Sequence, residues 1–294
     1  MKNAVEYILF FLFASLFQLL GLNISRRLAL FLALVFYYVV PIRKSTVIKN
    51  LKIAFPGYSN KRIKKISFNV YKSFSIFFVE ILIFPKVNRN KIAAELEFSD
   101  PELVIKKFNE GKGLIILSAH FGNWELIPPA IGVLLGLTGL TIVKPLRNPY
   151  VDKWMNNLRT RFGNEVIPLG ISLRKTYGSL KEKKMIGIAA DQRGPEEGVK
   201  VNFFNTEVPV YSGPSVLSLK TGAPILSLLA VRQKDYRYKI IVKEIDTNNL
   251  PENFDESVIE LTQRHTCHLE NMIKKYPEQW FWMHKKWKHL QRRK

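Results

Sequence analysis

Between Tyr7 and Val79 the chain contains no aspartate or glutamate, yet the same span holds 11 lysines and arginines. Its first part, YILFFLFASLFQLLGLNIS (Tyr7 to Ser25), runs 19 residues without a charge. That is close to the roughly 20 residues needed to cross the hydrocarbon core of a bilayer. The next apolar run, LALFLALVFYYVVPI, has 15 residues and is bounded by Arg26 and Arg27 before it and Arg43 and Lys44 after it. It is short for a span and reads as a buried or interfacial helix. A cleaved signal peptide is the competing reading of the first segment, since Met1-Lys2-Asn3 is a short basic start. No small-x-small cleavage pattern precedes the arginines, and the basic stretch that follows opposes export. An uncleaved anchor is therefore expected, and the positive-inside rule places everything after Arg26 in the cytoplasm.

The same imbalance extends over the chain. Lysine and arginine total 45 against 24 acidic residues, a net charge of +21, so the surface should seek anions. Nucleic acid is one candidate, but there is no zinc-finger spacing, no RNP-like aromatic strand and no Gly-rich backbone clamp. The basic stretch RKSTVIKNLKIAFPGYSNKRIKK at 43–65 follows directly on membrane-seeking helices. Each lysine or arginine near an anionic leaflet contributes about 1 kcal/mol of attraction. Anionic lipids of a membrane surface are the expected partner, and nucleic acid is not. The single cysteine, Cys267, excludes an intramolecular disulfide and a cysteine-based metal site.

After Pro56 a helical pattern runs through NKRIKKISFNVYKSFSIFFVEILIF, with Asn60 as its cap. From about residue 112 short apolar runs alternate with amphipathic ones. GLIILSA (113–119), LTIVK (140–144), MIGIAA (185–190), KVNFF (200–204), PILSLLAVR (224–232) and RYKIIVKEI (237–245) read as strands, and 150–162, 172–183, 213–221 and 255–276 as helices. This alternation predicts an α/β fold, a mixed sheet flanked by helices, with an N-terminal membrane-anchoring helical extension. The expected division is 1–42 for the anchor and interfacial helix and 43–294 for one catalytic domain.

The most informative stretch is LSAHFGNWELIPP, Leu117 to Pro129. His120 follows a buried strand directly, and the carboxyl end of a strand in an α/β sheet faces the ligand crevice. Gly122 permits a tight turn and Asn123 suits the N-cap of a helix starting at Trp124. On one continuous helix, residues five apart lie about 140° around the axis and would not meet. With a turn between them, His120 and Glu125 come within hydrogen-bond reach. A neutral histidine held by a carboxylate is a general base, and with no Ser or Cys beside it the attacking group is a substrate hydroxyl. The competing reading is a histidine that closes a strand end on backbone. A metal site lacks a third ligand nearby.

The motif HFGNWE resembles the H-x4-E signature of the lipid A late acyltransferases, the lauroyl/myristoyl transferases within the lysophospholipid acyltransferase superfamily. Four further blocks resemble that family in the same order: NLKIAFPGYS, KPLRNPYVDKWMNNLRTRFGNEVIP, DQRGPEEGVKVNFFNTEVPVYSGPSVLSLKTGAPI and PEQWFWMHKKWK. Three positions depart from its pattern: Lys144 for the usual arginine, Asn205 in the glycine place of F-F-G, and Tyr211 where Thr or Ser is common.

The resemblance implies an enzyme that moves a fatty acyl chain from an acyl carrier protein thioester to a hydroxyl of a membrane glycolipid, a lipid A precursor. The alternative keeps this chemistry on another membrane lipid, a phosphoinositide mannoside, an aminolipid or a lysophospholipid, and the remote alternative is a non-enzymatic basic protein that binds membrane or nucleic acid. No metal or organic cofactor is implied. It places the enzyme at the bacterial inner membrane with its catalytic domain toward the cytoplasm. His120 and Glu125 are the implied catalytic pair. Arg159 and Asp191 fall on residues the family depends on, Arg159 for substrate phosphate or the oxyanion and Asp191 to position Arg159 or a basic loop. Gln192 of the D-Q pair, Asn123 and Arg147 are the remaining substrate-binding candidates. Arg147 with Asn148 could instead merely cap the helix after Pro149, and Asn123 could merely cap its own. The QWFWMHKKWK segment is expected to be an amphipathic membrane foot. His265, His268, His284 and His289 are expected to be surface or packing residues.

Overall fold

The computed structural model describes residues 1–170 and 172–288. His289 therefore lies outside the described residues. Helix α1 spans Lys2–Leu34, breaks direction at Gly21 (φ 72°, ψ 171°) and runs on as a π-helical turn, Val35–Val39. A residue with a side chain would be strained at that φ, so the glycine is where two apolar helices can fold against each other. Helices α2 (Lys44–Ala54), α3 (Asn60–Ile83) and α4 (Arg89–Glu95) follow, then strand β1 (Leu96–Phe98), α5 (Pro101–Asn109) and β2 (Leu114–Ser118). Next come α6 (Ile127–Ala130), β3 (Gly139–Val143), α7 (Pro149–Thr160), β4 (Glu165–Pro168), α8 (Ser172–Lys181) and β5 (Met185–Ala189). A hairpin of β6 (Lys200–Asn202) and β7 (Glu207–Pro209) precedes α9 (Gly213–Thr221), β8 (Ile225–Arg232), β9 (Tyr238–Glu244) and α10 (Phe254–Lys275).

Seven strands form one sheet in the order β1-β9-β8-β2-β5-β3-β4, with β8–β9 its one antiparallel neighbour pair. The mixed α/β sheet is thus as expected. The central strands are apolar on both faces: β2 is buried from Leu114 to Leu117 and β8 from Ile225 to Val231. That is the pattern of a sheet covered by helices on both sides. The short β1 and β4 were not recognised in the sequence. KVNFF contributes β6 to the separate hairpin rather than to the sheet. Ser59, not Asn60, caps α3, its side chain accepting from the Arg62 amide.

The N-terminal helix is packed against the rest of the chain rather than set apart from it. Ala14, Phe17, Ala29 and Ala33 of α1 are buried, and α3 meets them with Ile76, Val79, Leu82 and Ile83. The opposite face presents Leu9, Leu12, Leu16, Leu19, Phe31 and Val39 to the outside, each at least 51% exposed. An exposed apolar face of this extent is the kind that meets a membrane or a protein partner. Arg26, expected at the membrane boundary, is instead buried. Its Nε donates to Glu80 Oε1 at 2.8 Å and its Nη2 to Glu95 Oε2 at 3.1 Å. An arginine beside apolar helices can be buried only with carboxylates to pair it, and α3 and α4 bring them.

The expected membrane foot is also corrected. Trp280, Trp282, Met283 and Trp287 are at most 3% exposed and join the core that α2, α3 and the β6–β7 hairpin form. Trp287 stacks on Phe203 at 5.5 Å and on Trp282 at 6.3 Å. The segment crosses beneath the strand ends, where Phe121 and Trp280 form an antiparallel bridge.

Candidate active site

β2 and β5 are parallel neighbours in a register that pairs Ser118 with Ala189. Two residues beyond that pair, each chain leaves the sheet at the same level, β2 with His120 and β5 with Asp191. Their side chains meet: His120 Nδ1 lies 2.7 Å from Asp191 Oδ1. The carboxylate is almost fully buried, and its other oxygen accepts from Trp280 Nε1 at 2.8 Å. With both oxygens satisfied, Asp191 holds the proton of the neutral imidazole on Nδ1 and leaves the Nε2 lone pair for chemistry. Gln192 Nε2 lies 3.2 Å from that nitrogen and donates to it.

This geometry corrects the expected pairing. The carboxylate that orients His120 is Asp191, whereas Glu125 is engaged by Arg159. Arg159 Nε donates to Glu125 Oε2 at 2.8 Å and Nη2 to Oε1 at 2.7 Å, a bidentate fork on side chains only 12% exposed. Trp124 Nε1 also donates to Glu125 Oε1 at 3.2 Å, while its ring sits 4.9 Å from that of His120. Glu125 is thus one residue removed from the imidazole and acts on it through charge. Asp191 does not position Arg159. That task falls to Glu125 and to Asn156, which accepts from Arg159 Nη1 at 3.1 Å.

Burial works against a charge on His120, but the Asp191 carboxylate and its hydrogen bond, with Glu125 behind them, raise the imidazole pKa above its usual 6.5. Burial likewise works against a charge on Asp191. The facing imidazolium, the Trp280 N–H and the nearby Lys286 ammonium outweigh it and lower the carboxyl to about 2. Asp191 is therefore an ionised carboxylate at neutral pH. Arg159 is held protonated in the same way, burial being offset by Glu125 and then Asp152.

The turn that carries His120 is built by contacts distant in sequence. Gly122 adopts φ 57°, and a Cβ placed there would lie 1.8 Å from the Ala230 carbonyl oxygen of β8. Only glycine fits. The Gly122 amide donates to Gln279 O at 2.8 Å and the Phe281 amide to His120 O at 2.9 Å. Asn123 precedes a 3₁₀ turn, Trp124–Leu126, yet its side chain does not cap it. It points inward and donates to Glu80 Oε2 at 3.0 Å, beside the Tyr238 hydroxyl at 2.6 Å from the same oxygen. Asn123 is therefore a support of the turn and is fully buried. Arg147 stands exposed between β3 and α7, away from these contacts, while Asn148 caps α7 by accepting from the Tyr150 and Val151 amides.

Next to His120 lies an apolar cleft lined by Val70, Phe74, Phe77, Trp124, Trp280 and Phe281. Phe77 stacks on Trp124 at 4.1 Å. Of the departures noted above, Asn205 has φ 53°, a left-handed position where glycine or asparagine serves equally. Lys144 and Tyr211 are exposed. His265 is buried, and His268 and His284 are partly so. Among the described residues no cluster of three or more His, Cys, Asp or Glu side chains could hold a metal ion. Lys286, Trp280 and Glu80 were not identified from the sequence as parts of this site. Only their tertiary contacts mark them.

The family described as bacterial lipid A biosynthesis acyltransferase matches residues 2–289. The chain is 22% identical over 249 residues to the lipid A biosynthesis palmitoleoyltransferase of Escherichia coli (strain K12), covering 84% of this chain and 79% of that one. It is 22% identical over 219 residues to the phosphatidylinositol mannoside acyltransferase of Mycolicibacterium smegmatis, covering 73% and 70% of the two chains.

Proposed function

This chain belongs to the bacterial lipid A biosynthesis acyltransferase family and is an acyltransferase acting on a lipid acceptor, and we propose that it moves a fatty acyl chain from an acyl carrier protein thioester to a hydroxyl of a lipid A precursor at the cytoplasmic face of the bacterial inner membrane. The observation that carries the mechanism is the contact between His120 Nδ1 and Asp191 Oδ1 at 2.7 Å. The acceptor hydroxyl takes the place of the Gln192 amide at His120 Nε2 and gives up its proton there. Its oxygen attacks the thioester carbonyl carbon to form a tetrahedral intermediate. When that intermediate collapses, the C–S bond breaks and the sulfur takes the proton back from His120 as the carrier thiol leaves. Asp191 stays ionised and holds the imidazolium in line.

Arg159 is supported as an anion ligand because its fork on Glu125 and its bond to Asn156 leave N–H donors on Nη1 and Nη2. A phosphate of the acceptor suits those donors. The apolar side chains beside His120, among them Phe74, Phe77, Trp124 and Phe281, suit contact with an acyl chain. The exposed face of α1 suits the bilayer surface, and the surplus of cations suits both anionic headgroups and an acidic carrier.

A second reading keeps the chemistry and changes the acceptor to a phosphatidylinositol mannoside, supported by the similarity to the mycobacterial enzyme. The deciding assay uses purified protein in detergent, an acyl carrier protein thioester, and two acceptors in parallel: a tetra-acylated lipid A precursor with its inner sugars, and a phosphatidylinositol mannoside. Product mass is followed for wild type and His120→Ala. Gain of one acyl group on the lipid A precursor, reduced at least about 100-fold in the variant, is the expected result. Gain only on the mannoside would move the protein to the second reading. Equal activity in both proteins would overturn the mechanism.

A further inference from the structure

We propose that Lys286 is a positioning residue of the reaction, pinning the Asp191–Gln192 peptide so that its two side chains meet the two nitrogens of His120; this rests on the proposed role of His120 as base. Lys286 is only 2% exposed, although the neighbouring Lys285 is exposed. Its ammonium donates to two successive backbone carbonyls, Asp191 O at 2.8 Å and Gln192 O at 3.1 Å. The peptide so gripped is the one whose side chains reach Nδ1 and Nε2 of the catalytic imidazole.

The cost of placing the lysine there argues for a task. The ammonium lies 5.5 Å from the Phe203 ring centroid, within the aromatic core that Trp280, Trp282 and Trp287 share. An uncharged residue such as methionine would fill that space without desolvating a charge. Both hydrogen bonds end on carbonyls, so the lysine is not merely one half of a buried ion pair. It also lines a cavity of about 30 Å³ under the strand ends with Ser118, Ser227 and the unpartnered Nε2 of His265. That space suits a water able to receive the third ammonium N–H. Burial lowers Lys286 to about 8 against the pull of Asp191. The groups that feel its charge are Asp191 beyond β5, His265 on α10 and His284 on its own loop.

Positioning and simple electrostatics predict different outcomes for His120. Loss of a cation by itself can only raise an imidazole pKa or leave it unchanged. Loss of the pin loosens Asp191, whose contact is what raises that pKa, and so lowers it. The experiment uses full-length protein in detergent with ¹⁵N-labelled histidine, comparing wild type, Lys286→Met and Lys286→Gln, with His120→Gln to assign the signal. Wild type should titrate above 6.5 and hold its neutral ring as one Nδ1–H tautomer. In Lys286→Met the midpoint should fall and both tautomers appear, while Lys286→Gln, whose amide can still donate to a carbonyl, should recover part of the wild-type behaviour. A midpoint that rises or stays put in the folded variants would overturn the proposal. Where Lys286→Met does not fold, the Lys286→Gln comparison decides by the same criterion.

In the acyl-transfer assay, Lys286→Met should lower kcat with little change in KM. The double variant with Asp191→Asn should match Asp191→Asn alone to within about threefold, because both act through one contact. Losses that multiply would overturn it. The spectroscopic readout needs no acceptor lipid, so an altered tautomer without acyl transfer from wild type would fault the assigned reaction and leave the positioning intact.

Discussion

His120 and Asp191 are 71 residues apart in sequence and 2.7 Å apart in the fold, because β2 and β5 run parallel in register and each ends two residues before its functional side chain. The pair has the chemistry of a base held by a buried carboxylate.

Asp191→Asn should lower kcat by at least about 100-fold, since the amide no longer favours the Nδ1–H tautomer or stabilises the imidazolium. The pH profile should change with a definite sign. His120 must be neutral to accept a proton, so wild-type kcat/KM rises with pH through a midpoint above 6.5. In the variant that midpoint should move down. Rates measured from pH 5 to 9 would show it, and an unmoved acid limb would contradict the pairing.

The same pair ties stability to pH. Asp191 is lowered to about 2 in the folded protein, so its contribution is present above the unfolded carboxyl value near 3.9 and fades as pH falls toward 2. His120 is raised, so its contribution is present below about 6.5 and is lost as pH climbs through its folded value. Denaturant midpoints recorded against pH should therefore differ between wild type and Asp191→Asn most clearly between these two limits. Parallel curves would argue against the coupling.

Glu125→Ala and Arg159→Ala should each cost more than removal of both. Breaking a buried pair leaves one charge uncompensated, typically about 3–5 kcal/mol, whereas the double variant leaves none. Thermal unfolding of the three variants gives the cycle. Arg159→Lys should restore charge without the fork and recover stability only in part.

Gly122→Ala should destabilise by more than about 2 kcal/mol, because the new Cβ meets the Ala230 carbonyl at a left-handed φ that alanine also resists. Arg26→Ala should be comparably damaging by stranding Glu80, yet binding to anionic vesicles should persist, since Arg26 faces the protein and not the surface. A vesicle-binding defect in folded Arg26→Ala would contradict that assignment.

Much of this molecule was legible locally. Buried strands are continuous apolar runs, so β2, β3, β5, β8 and β9 could be placed within a residue or two, and His120 and Asp191 could be set at strand ends facing the crevice. The glycine turn after His120 was equally local. Pairings were not, because spacing along the chain ranks near neighbours first. Glu125 stood five residues from His120, whereas the sheet order puts β5 beside β2 and delivers Asp191 instead. The C-terminal tryptophans were misread for a related reason. Trp and Lys in alternation describe a membrane foot and a buried core segment equally well, and only the surface that packs against them distinguishes the two. Composition and periodicity decided the layers, the apolar face and the residue types available for chemistry. Which carboxylate holds the histidine, and that a lysine lies buried beneath it, was decided by strand register and by the path of the last segment under the sheet. Those are long-range contacts, and no local pattern encodes them.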